Sequence, residues 1–332
     1  MTGQPAMMRL SGCRHRVQAT PLARPPRPLR PHLALAWRGS GKDKVVVVMG
    51  ATGTGKSRLS IDLAARFPAE IINADKMQLY QGLDIVTNKV PVEERRGVPH
   101  HLLGTLDPKS HQDFDCNDFR DLASQAVLSI SSRGHLPIVA GGSNSYIAAL
   151  VSGPAPGQMR YECCFLWVDA ALPVLHRFVS DRVEDMVEAG LVADVRALFD
   201  TSGGRVDFSR GLGKAIGVPE MDRLIKSERQ ASLSLHERAA LIREAMEEIK
   251  ANTCKLACCQ LQKIQRLRSL RGWELHRLDA TAVLDAADRP SADEAWERLV
   301  VQPSARVVRR FLTATAVAPM PALERAPAGR IA

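Results

Sequence analysis

The sequence predicts an α/β fold, a parallel sheet with helices on both faces, followed by a C-terminal helical part. Short apolar runs typical of buried strands alternate with amphipathic runs of helical period, and this order favours parallel strands joined by helices. The strand-like runs are residues 45–49, 70–74, 136–140 and 164–169, and the helical runs among them are 56–66, 113–132 and 173–188. From about residue 190 only helical patterns follow, at 191–200, within 219–228 and at 236–269.

The first strand-like run leads into a glycine-rich loop with the spacing G-x-x-x-x-G-K-[ST]. The loop, GATGTGKS, consists of Gly50, Ala51, Thr52, Gly53, Thr54, Gly55, Lys56 and Ser57. Its glycines allow successive backbone N–H groups to point at one phosphate, Lys56 supplies positive charge, and the Ser57 hydroxyl can reach a metal ion. A helix that begins near Lys56 adds the positive end of its dipole. We therefore expect a P-loop NTPase-like core that binds phosphate or pyrophosphate.

Two further strand ends carry residues suited to chemistry, because ligands of such sheets lie at the carboxyl ends of the strands. Asp75 follows the second strand, and Gly141-Gly142-Ser143 follows the third. An ATPase of this class usually has a metal-binding acid at the latter place. Its absence argues against an NTP-hydrolysing motor and favours group transfer, with Asp75 as a general base. A helix cap remains the alternative role for Asp75, and simple chain reversal the alternative for the Gly-Gly turn.

The positive charge is concentrated at the two ends of the chain, whose formal net charge is +9. Residues 1–42 carry +8 without any acidic residue, and residues 303–332 carry +4, which leaves −3 for the body between them. A slightly acidic body lacks the broad basic surface of a protein that follows a nucleic-acid backbone, so we expect no nucleic-acid partner. No apolar run approaches the roughly 18 residues of a membrane span, so we expect no membrane partner either.

The cysteines and one histidine pair also permit limited predictions. The seven cysteines are an odd number without C-x-x-C pairs, which favours a reducing compartment over a disulfide framework or a zinc ribbon. The adjacent His100 and His101 have no further ligand at metal-binding spacing. We expect a structural or substrate-contact role for both histidines.

Several segments together carry a resemblance to a known family. They are GATGTGKS (50–57), INADKMQLY (72–80), DIVTNK (84–89), PHHLLG (99–104), LPIVAGGSNSYI (136–147) and RVEDMVEAGL (182–191). In this order they resemble the isopentenyltransferases, which move a dimethylallyl group from its pyrophosphate to the N6 amine of an adenine. The resemblance covers about residues 43–285. Lys76, TNK (87–89), SNS (143–145) and KAIGVPE (214–220) are similar to the free-nucleotide branch, the plant adenylate isopentenyltransferases that begin cytokinin synthesis.

This resemblance implies substrates, a cofactor and residue roles. The substrates are dimethylallyl pyrophosphate, or its hydroxylated analogue, and ATP, ADP or AMP, with Mg²⁺ as the cofactor. Asp75 is expected to be the catalytic base, with Thr54 and Lys56 assisting the departure of pyrophosphate. The implied pyrophosphate contacts are Thr54, Lys56, Ser57, Ser143 and Lys89, the implied contacts to the acceptor's phosphates are Arg210 and Lys214, and Ser57 is expected to bind Mg²⁺.

Composition, sequence pattern and this resemblance together predict that the chain has four parts. Residues 1–42, basic and rich in proline, resemble an organelle transit peptide, with a disordered extension as the alternative. We expect a plastid destination, with the mitochondrion and the cytoplasm as alternatives. Residues 43–190 form the P-loop core, and residues 191–302 form a helical region on the acceptor side. Residues 303–332, rich in Ala, Pro and Arg, are expected to be a flexible tail.

Two departures from the family pattern leave other functions open. The chain reads GLGKAIG where relatives read GIRKAIG, so that Gly213 replaces an arginine, and Cys259 stands where relatives have a basic residue. If both lost side chains bind phosphate, each loss weakens binding by about 1.5–3 kcal/mol. The alternatives are a slow enzyme, a nucleotide-binding protein without transfer activity, and a tRNA-modifying enzyme. The phosphate loop alone is also compatible with a small-molecule kinase.

Overall fold

The computed structural model describes residues 41–108, 114–230 and 233–314. Predictions about residues 1–40 and 315–332, which include most of the transit segment and of the tail, lie outside the described residues. Within them one parallel sheet is formed by β1 (Lys44–Gly50), β2 (Ala69–Asn73), β3 (His100–His101), β4 (Leu136–Ala140), β5 (Glu162–Asp169) and β6 (Leu275–Asp279). The strand order is β3-β2-β4-β1-β5-β6, which confirms the predicted fold class.

Helices cover both faces of this sheet. The described α-helices are α1 (Lys56–Ala64), α2 (Cys116–Ser132), α3 (Asn144–Val151), α4 (Leu172–Glu188), α5 (Leu191–Thr201), α6 (Asp222–Gln230), α7 (Leu235–Arg268), α8 (Thr281–Leu284), α9 (Arg289–Trp296) and α10 (Gln302–Thr313). Helices α2 to α7 enclose a large apolar core on one face. Helices α1, α9 and α10 enclose a second core on the other face.

Strand β1 contributes to both cores because it is buried along its whole length. Val45 and Val47 belong to the larger core, whereas Val46 and Val48 belong to the second. Successive side chains of a strand point to opposite faces, so an all-apolar strand is stable where both faces are covered. The run that precedes the phosphate loop is therefore an inner strand, with β4 and β5 as its neighbours.

The prediction of a flexible tail from residue 303 onward is wrong for the first part of that range. Helix α10 packs Ala305, Val308 and Leu312 into the second core. Lys44 of β1 donates from Nζ to the carbonyl oxygens of Phe311 and Ala314, at 2.7 and 2.9 Å, and thus caps the end of the helix. These apolar residues recur at helical spacing, a signal that the Ala, Pro and Arg content of the segment concealed.

Both edge strands are additions to the predicted sheet. Strand β6 lies in the range 191–302, which was predicted to be helical, and only Leu278 of its five residues is buried. It therefore lacks the continuous apolar run that identifies inner strands. Strand β3 is only two residues long, and its His101 forms a 2.7 Å hydrogen bond from Nε2 to the Glu70 carboxylate of β2. This contact supports a structural role for His101.

Helix α7 connects the acceptor-side region to the sheet. Ser234 caps its first turn, and Glu237 bonds back to the Ser234 N–H in a capping box. Its buried residues, among them Ile249, Ala257 and Ile264, recur every three or four positions and face the larger core. The helix packs against α4 and reaches β1. Of the helices that the structure describes, none is long and apolar enough to cross a membrane.

Candidate active site

The phosphate loop joins β1 to α1 at the carboxyl edge of the sheet. A Cβ at Gly50 would lie 2.3 Å from the Val168 carbonyl oxygen of β5. Gly55 has a φ of +92° and directly precedes α1, and a Cβ there would lie 2.7 Å from the Trp296 ring. Glycine is required at both positions because backbone or ring atoms approach too closely for any side chain. The loop is thus enclosed by β5 on one side and by α9 on the other.

Two predicted loop residues bond to the same carbonyl of the loop. The Lys56 ammonium donates to the Ala51 carbonyl oxygen at 2.7 Å, and the Thr54 hydroxyl donates to it at 2.9 Å. Thr54 is fully buried, so its hydroxyl shapes the loop. The contact of Thr54 with pyrophosphate, and a catalytic role for it, stay predictions. Burial of Lys56, together with the nearby Arg182, lowers its pKa to about 8, although Asp75 opposes the shift.

Arg182 is a site residue that the sequence analysis missed. It comes from α4, and its Nη2 donates to the Thr52 hydroxyl at 3.1 Å. Its Nε is buried without a hydrogen-bond partner among the residues that the structure describes, and burial lowers the pKa of the guanidinium. In the described part of the chain neither Arg182 nor Lys56 forms an ion pair. RVEDMVEAGL contributed to the family resemblance, but only the packing of α4 on the loop brings this arginine to the phosphate site.

Asp75 lies in the turn that follows β2. Its Oδ1 accepts the Met77 N–H at 3.0 Å, and its own N–H donates to the Asn73 side chain at 3.2 Å. Burial raises the pKa of the Asp75 carboxyl above the ordinary aspartate value. The Lys56 ammonium, the N–H groups of Met77 and Gln78, and the Lys89 ammonium partly oppose this rise. The carboxylate therefore lies close enough to the loop lysine for an electrostatic interaction, although β4 separates β2 from β1 in the sheet.

The turn after β4 lies beside Asp75. A Cβ at Gly141 would lie 2.2 Å from backbone atoms of Ala74, so the ends of β2 and β4 meet here without room for a side chain. A Cβ at Gly142 would lie 3.5 Å from the Asp75 Oδ2. The Ser143 hydroxyl accepts the Lys76 N–H at 2.9 Å, which joins the two turns. The two glycines therefore do more than reverse the chain, since they let both strand ends converge on one place.

The three remaining predicted cations are held in different ways. Lys89 is buried, pairs with Asp84 at 2.8 Å and also donates to the Gly82 carbonyl oxygen. Arg210 is exposed and pairs with Asp207 at 2.8 Å. Lys214 is exposed on a short 3₁₀ helix, Gly211–Lys214, that lies next to the Met77–Leu79 turn after Asp75. Lys89 and the helix of Lys214 are thus near the Asp75 turn, whereas Arg210 is engaged on the surface.

Comparison with known proteins places the chain in a family. A family model described as IPP transferase matches residues 78–159 and 152–266. Adenylate isopentenyltransferase 5, chloroplastic, of Arabidopsis thaliana is 57% identical over 273 residues, covering 82% of this chain and 81% of that protein. Adenylate isopentenyltransferase 7, mitochondrial, of the same plant is 50% identical over 274 residues, covering 81% and 80%. The chain belongs to the IPP transferase family. The predicted family and the predicted enzyme class, a prenyltransferase, are confirmed.

Solved structures agree with this IPP transferase in fold. A eukaryotic dimethylallyltransferase acting on tRNA matches with a TM-score of 0.69 at 23% identity, over 81% of this chain and 79% of that chain. The tRNA isopentenylpyrophosphate transferase of Bacillus halodurans matches with a TM-score of 0.63 at 24% identity, over 81% and 96%. At these sequence identities the similarity shows the fold alone, and it does not identify the acceptor substrate.

The loop of this IPP transferase also fits a divalent cation, which P-loop prenyltransferases typically use. The Ser57 hydroxyl has no hydrogen-bond partner among the described residues, so it is available to a ligand. In that same part of the chain no group of three or more metal-ligand side chains occurs. The Ser57 hydroxyl would be one protein ligand of such a cation, and water and substrate phosphate would supply the others.

The two departures from the family pattern differ in their surroundings. A Cβ at Gly213 would lie 2.1 Å from the Asp207 carbonyl oxygen, so an arginine at 213 would require the 207–213 segment to move. Cys259 is exposed on α7, where a longer side chain could be accommodated. The loss at position 213 is therefore a local change of backbone packing as well as of charge, whereas the change at 259 alters only the surface.

Proposed function

We propose that this IPP transferase moves a dimethylallyl group from dimethylallyl pyrophosphate to N6 of the adenine of free ATP or ADP, with AMP as a further acceptor. This reaction would be the first step of cytokinin biosynthesis. One observation carries the proposal: Lys56 of the phosphate loop and Arg182 of α4 both bond to that loop without an ion-pair partner among the described residues, and the charge of Lys56 interacts with the carboxylate of Asp75. The relatives named adenylate isopentenyltransferases support the choice of a free nucleotide as acceptor.

On the donor side, the loop and α4 would bind the pyrophosphate. Negative charge develops on the leaving pyrophosphate as the allylic C–O bond breaks, and fixed cations and N–H donors directed at that charge lower the barrier. Lys56, Arg182 and the N–H groups at the start of α1 are such donors. Mg²⁺, bound by Ser57 and the pyrophosphate, would supply further charge neutralisation. Lys89 and Ser143 lie on the neighbouring turns and could complete the contacts to the pyrophosphate.

On the acceptor side, Asp75 would act as the base. The exocyclic amine of adenine is a weak nucleophile because its lone pair is delocalised into the ring. A carboxylate that accepts a hydrogen bond from N6–H orients the amine and takes its proton as the new N6–C bond forms and the C–O bond of the donor breaks. Burial raises the pKa of Asp75, which makes the carboxylate a stronger base. Lys214, and Arg210 after release from Asp207, are the proposed contacts to the acceptor's phosphates.

The direct test is product analysis by mass spectrometry. The protein is incubated with dimethylallyl pyrophosphate and Mg²⁺, and AMP, ADP, ATP and unmodified tRNA are offered in separate reactions. Prenylated free nucleotide is the expected product, and the relative yields rank the acceptors. Prenylated tRNA without prenylated nucleotide would replace the proposal with the tRNA-modifying alternative. Phosphorylated product would indicate a kinase.

We also propose that residues 1–42 direct the protein to the plastid, with the mitochondrion as the alternative. The composition of the segment supports this destination, and the named relatives include both chloroplastic and mitochondrial proteins. Fusion of residues 1–42 to a fluorescent protein tests the proposal. Fluorescence confined to plastids is expected, and a cytoplasmic signal would contradict a transit function.

A further inference from the structure

Gln260 of α7 is a buried polar residue placed among the loops of the candidate site. Only 8% of its surface is exposed, and its helical neighbours Ala257, Leu261 and Ile264 belong to the larger core. A buried amide costs free energy unless both its oxygen and its nitrogen form hydrogen bonds. The partners of this amide are therefore informative about its role.

Both ends of the Gln260 side chain bond to the backbone of the site. Its Oε1 accepts the Thr52 N–H of the phosphate loop at 2.7 Å. Its Nε2 donates to the Gly142 carbonyl oxygen, in the turn after β4, at 3.1 Å. The main-chain carbonyl oxygen of Gln260 accepts a 3.2 Å hydrogen bond from the side-chain amide of Asn144, at the start of α3. One residue thus joins three segments that are far apart in sequence.

The two bonds of the amide determine the relative position of the donor and acceptor halves of the site. Thr52, whose N–H bonds to Gln260, is also the residue whose hydroxyl accepts from Arg182. Gly142, on the other side of the amide, lies beside the Asp75 carboxylate. The side chain of Gln260 therefore spans from the cations that would hold the pyrophosphate to the turn next to the base.

The surroundings demand a glutamine in particular. A Cβ at Gly142 would lie 2.5 Å from the Gln260 Nε2, so the turn is built around this amide. Glutamate would keep an acceptor for Thr52 but offer no donor to the Gly142 carbonyl. Methionine has a similar length without either hydrogen bond, and asparagine is one methylene too short to reach both partners.

We propose that Gln260 is a positioning residue for prenyl transfer, which sets the separation between the pyrophosphate cations and Asp75. The inference rests on the proposed function. Gln260 contacts no reacting atom, and its effect is exerted through Thr52 and Gly142. A misplacement of about 1 Å between reacting groups can reduce the rate about a hundredfold, so a lost connection here is expected to be measurable.

The test compares Gln260→Met with Gln262→Met, a matched exchange at an exposed glutamine of the same helix. Three quantities are measured well below the unfolding temperature: kcat, KM for dimethylallyl pyrophosphate, and the affinity for inorganic pyrophosphate by calorimetry. We expect Gln260→Met to lower kcat/KM by about 10- to 100-fold and to raise both KM for the donor and the Kd of pyrophosphate. Gln260→Glu keeps an acceptor for Thr52 but adds a negative charge beside the proposed pyrophosphate site, so it is expected to weaken pyrophosphate binding at least as much as Gln260→Met, with kcat also low. Gln262→Met is expected to behave as the wild type.

A purely structural role predicts a different result. In that case Gln260→Met would lower the melting temperature but leave KM and pyrophosphate affinity within twofold of the values for Gln262→Met, and this outcome would overturn the proposal. Should Gln260→Met not fold, the same comparison is made with Gln260→Asn. If the wild type forms no prenylated nucleotide, the proposed function fails, and the pyrophosphate titration still decides whether Gln260 positions the phosphate loop.

Discussion

Two groups of cations at the carboxyl edge of the sheet are held in contrasting ways. Lys56 and Arg182 form an enclosed group: each residue is partly exposed, bonds to a neutral oxygen of the phosphate loop, and has no ion-pair partner among the described residues. Arg210 and Lys214 are exposed, and Arg210 is already paired with Asp207. An enclosed cation without a counter-ion is costly unless an anion neutralises it, whereas an exposed cation is solvated by water.

The difference teaches that the proposed donor half of the site is held by close packing, whereas the proposed acceptor-phosphate half is exposed to solvent. The loop glycines, α4 and α9 fix the first group by close packing. The second group lies on a turn-rich segment whose side chains can reorient toward a ligand. Substitutions in the enclosed group should therefore have larger and more specific effects than substitutions in the exposed group.

The largest effect is expected from Asp75→Asn, which removes the carboxylate that we propose as the base. The amide cannot take the N6 proton, so turnover should fall by about 10²–10⁴-fold. Pyrophosphate binding should be retained, because Lys56 and Arg182 remain. Steady-state kinetics and pyrophosphate calorimetry measure the two effects separately, with the exposed Asp121→Asn as the control. Near-normal turnover in Asp75→Asn would exclude Asp75 as the base.

The next largest effect is expected at Trp296, a residue of the C-terminal part of the chain that packs against the phosphate loop. Trp296 packs on Gly55, lies under the Arg58 guanidinium and donates from Nε1 to Asp62 at 2.8 Å. Trp296→Ala should lower the free energy of unfolding by about 3–5 kcal/mol, as is usual when a buried tryptophan is truncated. Denaturant unfolding measures the loss.

The exposed Arg309→Ala on α10 is the control for this stability experiment. An equal loss in both variants would show that the contact of Trp296 with the loop contributes no more to the free energy of unfolding than an exposed side chain does.

A matched pair of arginine exchanges compares the two groups directly. Arg182→Met should raise the Kd of pyrophosphate by about 10- to 100-fold, since hydrogen bonds to charged groups contribute about 1.5–3 kcal/mol. Arg210→Met should change that Kd by less than about threefold, because an exposed ion-paired arginine contributes little. Calorimetric titration of both variants with pyrophosphate measures the two Kd values. Similar Kd values for the two variants would remove the distinction between an enclosed and an exposed group.

The smallest effect is a pH dependence of donor binding. Lys56 has a pKa of about 8 and binds an anion only when protonated, so its contribution to pyrophosphate affinity should be complete well below pH 8 and be lost above it. The loss should approach about tenfold per pH unit once the free lysine is deprotonated. On the acid side, kcat/KM should decline at a pH above the ordinary aspartate pKa, because burial raises the pKa of Asp75.

Pyrophosphate titrations and kcat/KM values measured from pH 5 to 9.5 test the expected changes on the alkaline and on the acid side. Affinity that stays constant through pH 9 would mean that Lys56 is not the titrating group in pyrophosphate binding.

Sequence patterns predicted some parts of the site well and others poorly, for identifiable reasons. The phosphate loop and Asp75 directly follow inner strands, whose continuous apolar runs are easily recognised. Strand β6 was missed because most of its residues are exposed, and α10 because its composition resembles that of a flexible segment. For Thr54 the motif predicts a ligand contact, and the structure adds that its hydroxyl bonds to the Ala51 carbonyl oxygen within the loop.

The amino-acid sequence by itself determined the inner strands with the helices among them, the phosphate loop and the family. These features depend on local patterns: apolar periodicity, glycine spacing and the residue that follows each strand. Tertiary structure alone decided that Arg182 of α4 and Gln260 of α7 contact the loop, and that Trp296 packs behind it. Such contacts join residues more than one hundred positions apart. Only the packing of helices on the sheet brings them together, and no local pattern encodes that distance.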